Sequence, residues 1–120
     1  MAASDPLGRD AVAAVDTTAQ VAEILDLPTH LRDALWRVDS AGLRRAPASG
    51  GLVVAGMGGS GIGGRLAIAA LGPRARRPMS VAAGYSLPPW TGAQTTVLCS
   101  SYSGATEETL ACYDAAGVLG

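Results

Sequence analysis

The chain predicts an α/β fold: a parallel sheet flanked by helices in three layers (α-β-α), incomplete, and preceded by two N-terminal helices. Three observations carry that expectation. From Gly51 onward a short apolar run, a glycine-rich loop and a helical pattern follow one another without a break. Two more β-prone runs come next, and the last ends in a serine-rich loop that leads into a second helical pattern. Strands that alternate with helices in this way build open parallel sheets.

The elements can be justified in order. Val12, Val15, Ala19, Ala22 and Leu25 fall on one helical face, which predicts a helix from Asp10 to Leu25. Pro28 closes that helix and can open the next. Leu31, Ala34, Leu35 and Val38 then repeat the i, i+3, i+4, i+7 pattern, and Gly42 stands near the end. Trp36 lies beside this apolar face and is expected to pack; His30, on the same helix, reads as a surface or interfacial histidine. Arg44 to Gly51 is turn-rich. It separates a helical lead and linker (residues 1–50) from the first part of an α/β domain (residues 51–120).

Leu52-Val53-Val54-Ala55 is continuous and β-branched at its centre, as suits a strand buried on both faces. Ile62, Leu66, Ala69 and Ala70 mark the helix that follows, which ends near Gly72 and Pro73. Met79 to Ala83 is a second strand. The loop after it holds Pro88, Pro89 and Trp90, where Trp90 either borders a ligand or packs over the end of the sheet. Thr95 to Cys99 is a third strand of good β-propensity, and Thr106 to Ala116 is a helix. Three strands fall short of the usual count of about 5–6, so the chain reads as part of a longer protein.

Composition removes several classes of function. The 120 residues carry 9 Lys+Arg against 10 Asp+Glu, a formal net charge of −1. That excludes a polybasic nucleic-acid module and an acidic tail. Every basic side chain is Arg, so a lysine base or Schiff base within this chain is excluded. A single histidine and two cysteines without CxxC spacing predict no metal site. Cys99 and Cys112 read as reduced, partly buried thiols. No apolar run approaches the ~20 residues of a membrane span, and the N-terminus lacks a hydrophobic export signal. A cytoplasmic location is expected.

Two loops carry the chemistry. Gly56 to Gly64 follows a strand and opens a helix, where free N–H groups and the positive dipole end favour a phosphate; Ser60 adds a hydroxyl. Gly56, Gly58 and Gly61 formally match G-x-G-x-x-G. A dinucleotide would also need an acidic residue on the next strand, and none occurs between Asp39 and Glu107. The second loop supplies Ser101, Ser103 and Thr106, three hydroxyls within six residues at a helix start. These neutral donors suit a phosphate monoester; the plainer alternative is ordinary helix capping.

The motifs GMGGSGIGG and SYSGATEETL, with Tyr85-Ser86-Leu87-Pro88-Pro89-Trp90 between them, resemble the sugar isomerase (SIS) domain of the bifunctional phosphoglucose/phosphomannose isomerase family. The resemblance is close from about Gly51 to Leu110. It implies a SIS-type sheet that binds a phosphorylated hexose, with Gly59 and Ser60 lining the sugar-phosphate site and Ser101, Ser103 and Thr106 holding the phosphate. It further implies interconversion of glucose 6-phosphate or mannose 6-phosphate with fructose 6-phosphate through an enediol, no metal or nucleotide cofactor, and a homodimer in the full-length protein. The family's base (a Glu) and its His and Lys helpers lie further along than position 120, so no catalytic residue is assigned here. Two positions depart from the family: Ala105 stands where Asn is usual, and Arg65 where an acidic residue is common. The alternatives are a phosphosugar-sensing SIS module without catalysis and a truncated, inactive product. The leading helices have no basic recognition face, so no nucleic-acid partner is expected.

Overall fold

The computed structural model describes residues 7–45 and 47–120. The chain divides into two compact units, one up to Arg44 and one from Arg45.

In the first unit the helix expected from Asp10 to Leu25 is two helices, α1 (Arg9–Val15) and α2 (Gln20–Leu25). The interruption has a local cause. The Asp16 carboxylate accepts hydrogen bonds from the Gln20 and Val21 amides at 2.8 and 2.9 Å. Ala19 turns left-handed at φ 56° to allow it. A short acidic side chain here competes with the helical ladder and wins. Then comes α3 (Leu27–Ser40), with Pro28 in its first turn. An exposed i, i+4 ion pair, Asp33–Arg37, lies on its surface, and His30 Nε2 stands 3.4 Å from Asp26 Oδ2. Trp36 does not pack as expected: it is 66% exposed, and none of the residues of α3 is buried.

The second unit contains β1 (Leu52–Ala55), α4 (Gly58–Leu71), a 3₁₀ turn (Gly72–Arg74), β2 (Met79–Ala82), β3 (Thr96–Cys99) and α5 (Glu107–Leu119). All pairings are parallel, in the order β2-β1-β3, with Val54 opposite Val81 on one side and Leu98 on the other. The alternation of a strand then decides the layers. Val53 and Ala55 face one way and form the core with Ala82 and Cys112, against which Leu87, Val97 and Cys99 pack. Because Cys112 lies on α5, that helix covers this face. Val54 faces the other way, onto α4.

The seat of α4 is made of glycine. A Cβ at Gly64 would stand 2.8 Å from the Val54 Cβ, and one at Gly61 would stand 2.5 Å from the Gly56 carbonyl oxygen. Ile62 and Leu66, which announce the helix in the sequence, are 55% and 62% exposed. Leu98, on the α4 face of edge strand β3, is also exposed. Trp90 packs at the amino end of the sheet, where its ring lies 3.1 Å from the position a Cβ would take at Gly51. It is therefore remote from the carboxyl ends of the strands and does not border a ligand there.

Candidate functional site

The strand order creates a topological switch point. β1 leaves its carboxyl end toward α4 on one face, and β3 leaves toward α5 on the other. The crevice between such diverging connections is where open α/β sheets bind ligands. The two loops meet there. The Ser100 amide donates to the Ala55 carbonyl at 2.7 Å, and a Cβ at Gly56 would collide with the Ser100 carbonyl oxygen at 2.9 Å. Glycine at 56 is what allows the two backbones to lie side by side.

The structure brings Ser101, Ser103 and Thr106 into one cluster. Ser101 Oγ lies 2.9 Å from Thr106 Oγ1 and 3.4 Å from Ser103 Oγ. It also accepts the Gly104 amide at 3.0 Å, while Ser103 Oγ accepts the Ala105 amide at 3.1 Å. Gly104, at φ +70°, supplies the left-handed turn that closes the loop. Either hydroxyl of each pair can donate; with Ser101 donating to Thr106, Ser103 donates to Ser101 and the Thr106 proton is left free. The loop thus holds its oxygens in place and leaves one hydroxyl hydrogen to offer.

Ordinary capping does not explain this arrangement. Thr106 occupies the N-cap position of α5 yet makes no side-chain cap bond to the helix. Its hydroxyl is turned to Ser101 instead. The first-turn amides of Glu107, Glu108 and Thr109 have no acceptor among the described residues. At α4 the N-cap is Met57, whose side chain makes no cap bond either. Gly59 and Ser60 lie in the first turn of that helix, and the Ser60 amide bonds back to Met57 O at 3.0 Å. Two helix starts with unsatisfied donors therefore open at the carboxyl end of one sheet, an arrangement that attracts an anion.

A third segment reaches the same end. After β2, the Gly84 carbonyl accepts a 3.4 Å contact from Cys112 Sγ, and Tyr85 Oη lies 3.3 Å from Glu107 Oε2. Sequence reasoning assigned Tyr85 no role of its own. No local pattern links residues 85 and 107; only the parallel order of the strands places them at one end. Glu108 above all, then burial and Glu107, raises the Tyr85 phenol above its ordinary pKa. Burial raises the thiols of Cys99 and Cys112, and each remains free.

The opposite end of the sheet holds an open groove of about 360 Å3, rimmed by Arg74, Arg76 and Arg77. Two of these arginines are engaged with backbone. Arg77 Nη1 donates to the Pro47 and Ala48 carbonyls, and Arg74 Nη2 to that of Ala70. The three arginines lie at the wrong end to assist the hydroxyl cluster. Arg65, on α4, is exposed. Among the described residues no set of His, Cys, Asp or Glu side chains could hold a metal ion, and no helix is long and apolar enough to cross a membrane.

Comparison with known proteins gives relatives over rather more than half of the chain. A bifunctional phosphoglucose/phosphomannose isomerase of Caldicellulosiruptor bescii is 42% identical over 69 residues, covering 58% of this chain and 20% of that protein. A protein of the same name from Aquifex aeolicus is 46% identical over 67 residues, covering 55% of this chain and 21% of that protein. This chain is similar to part of such an isomerase. It spans about a fifth of the length of the curated relatives it matches. No family model and no solved structure matches it.

Proposed function

We propose that residues 51–120 are the first part of a SIS domain and carry the phosphate-binding half of a phosphohexose isomerase site. The observation that carries this reading is the cluster of Ser101, Ser103 and Thr106 hydroxyls beside the acceptor-free first turn of α5. The similarity to two phosphoglucose/phosphomannose isomerases supports the choice of a hexose phosphate as ligand. In this reading the phosphate oxygens take the Thr106 proton and the α5 amides, Ser103 turns its hydroxyl to the phosphate from its long contact with Ser101, and Gly59 and Ser60 face the sugar from α4. Neutral donors in a fixed frame hold a dianion without a counter-charge and leave the sugar carbons free to react.

The reaction assigned to the whole protein is the interconversion of glucose 6-phosphate or mannose 6-phosphate with fructose 6-phosphate. A base moves a proton between C1 and C2 through an enediol. Glu107 and Glu108 belong to the binding loop, so the base is assigned outside these residues, in a cytoplasmic homodimer that needs no metal or nucleotide. The role of the present chain in that reaction is to fix the phosphate and so set where C1 and C2 lie.

A thermal-denaturation titration tests the reading. A ligand that binds only the folded state raises Tm by mass action. Fructose 6-phosphate is expected to raise Tm and free fructose to leave it unchanged, with the shift abolished in S101A/T106V. Equal responses to the two sugars, or an unaltered shift in the double variant, would overturn it.

A further inference from the structure

The first turn of α5 contains an electrostatic conflict. Glu107 and Glu108 stand at the helix start, where the dipole favours them. The phosphate proposed above needs the same amides and the adjoining Thr106 hydroxyl. A free Glu107 side chain, next to Thr106 in the chain, would compete for those donors and repel the dianion.

Tyr85 meets this carboxylate. Its Oη lies 3.3 Å from Glu107 Oε2, across 22 positions of sequence. That is long for an O–H···O bond, whose usual range is about 2.5–3.0 Å, so the pair has room to tighten when an anion pushes Glu107 toward the phenol. The segment bearing Tyr85 is held on both sides: Gly84 accepts from Cys112 Sγ on α5, and Leu87 packs on the core. The phenol also stays protonated, because the neighbouring carboxylates oppose its ionisation.

We propose that Tyr85 is a positioning residue for the anion: it donates its hydroxyl proton to Glu107 and so keeps that carboxylate off the Thr106 hydroxyl and the α5 amides. Tyr85 does not touch the ligand in this arrangement. Its effect passes through Glu107 alone, and the inference rests on the phosphate site proposed above.

The test is a double-variant cycle on the full chain, with fructose 6-phosphate and inorganic phosphate as separate probes and the unliganded Tm recorded for every variant. Y85F is expected to weaken both ligands by about three- to tenfold, as a carboxylate released beside a dianion at a hydrated surface would. E107Q is expected to bind at least as tightly as the parent. Adding Y85F to E107Q is expected to change affinity by less than about twofold, since no charge remains to be held. Equal weakening by Y85F in both backgrounds would overturn the inference, because the phenol would then act on the ligand or on the loop directly. Unchanged affinity in Y85F would overturn it as well. A parent chain that binds neither probe would instead overturn the phosphate site itself, and the inference with it.

Discussion

The loop before α4 and the loop before α5 occupy equivalent places, each joining the carboxyl end of a strand to a helix, yet they are built from opposite materials. The first is nearly all backbone. Gly56 in the loop, with Gly61 and Gly64 in the helix it opens, lets α4 sit against β1 at distances no side chain would tolerate. The second is all side-chain oxygen, with Ser101, Ser103 and Thr106 bonded to one another and to loop amides. One loop supplies shape and the other supplies donors. A site for a small dianion needs both, because hydroxyls are useful only if the ligand can approach the helix starts.

If that division holds, substitutions at the glycine seat of α4 and in the loop before α5 should separate stability from binding. The largest effect is expected at Gly64. G64A places a methyl 2.8 Å from the Val54 Cβ, and overpacking of this kind destabilises by about 1–3 kcal/mol. Urea denaturation should show it. An unchanged midpoint would mean that α4 can shift to accept the methyl and that the glycine is not needed for its seat on β1.

S101A should affect both properties. It leaves the Gly104 amide without its acceptor and removes the partner of Thr106. A stability loss of about 1 kcal/mol is expected for the bond, together with at least a tenfold loss of fructose 6-phosphate affinity by calorimetric titration. T106V tests the capping explanation. Thr106 makes no cap bond but is bonded to Ser101, so a loss of about 1 kcal/mol is expected for that one bond while affinity falls about fivefold. A large fall in Tm with unchanged affinity would restore the capping explanation.

The smallest effect concerns the thiols on the α5 side of β1. Cys99 and Cys112 are raised above the ordinary thiol value by burial, Cys112 also by Cys99. In the unfolded chain they lose protons first, so from the ordinary thiol pKa of about 8.5 upward the folded state holds more protons and stability falls. Their contribution is complete below that pH and is lost as pH rises through the folded values. C112A should flatten this slope in Tm measured from pH 7.5 to 10.

Much of the second unit is legible in the residues. The β-branched run at Leu52–Ala55, the glycine loop and the hydroxyl loop each announce an element through local chemistry; the strands lie within a residue of where they are expected, whereas α4 takes in most of the expected Gly56–Gly64 loop and α5 runs three residues past Ala116. The first unit is less legible. The spacing of Val12, Val15, Ala19, Ala22 and Leu25 suits one helix, but a single carboxylate, Asp16, breaks it. Trp36 shows the same limit, since an apolar stripe says which side of a helix would pack and not whether anything covers it. The Tyr85–Glu107 contact was not readable at all, because its partners belong to separate βα connections.

The sequence by itself determined the periods: where the strands and the helices after them form, which loops are rich in glycine or hydroxyl groups, and that no lysine is present for catalysis. These are properties of neighbouring residues and survive without a fold. Only the tertiary structure decided that α4 seats on Gly61 and Gly64 and leaves Ile62 and Leu66 outside. It alone decided that Trp90 and the arginines lie at the amino end of the sheet, and that Thr106 turns from its own helix to Ser101. The reason is that packing and hydrogen bonding are settled among groups distant in the chain. Their separation is set by the strand order β2-β1-β3, and no local pattern encodes that order.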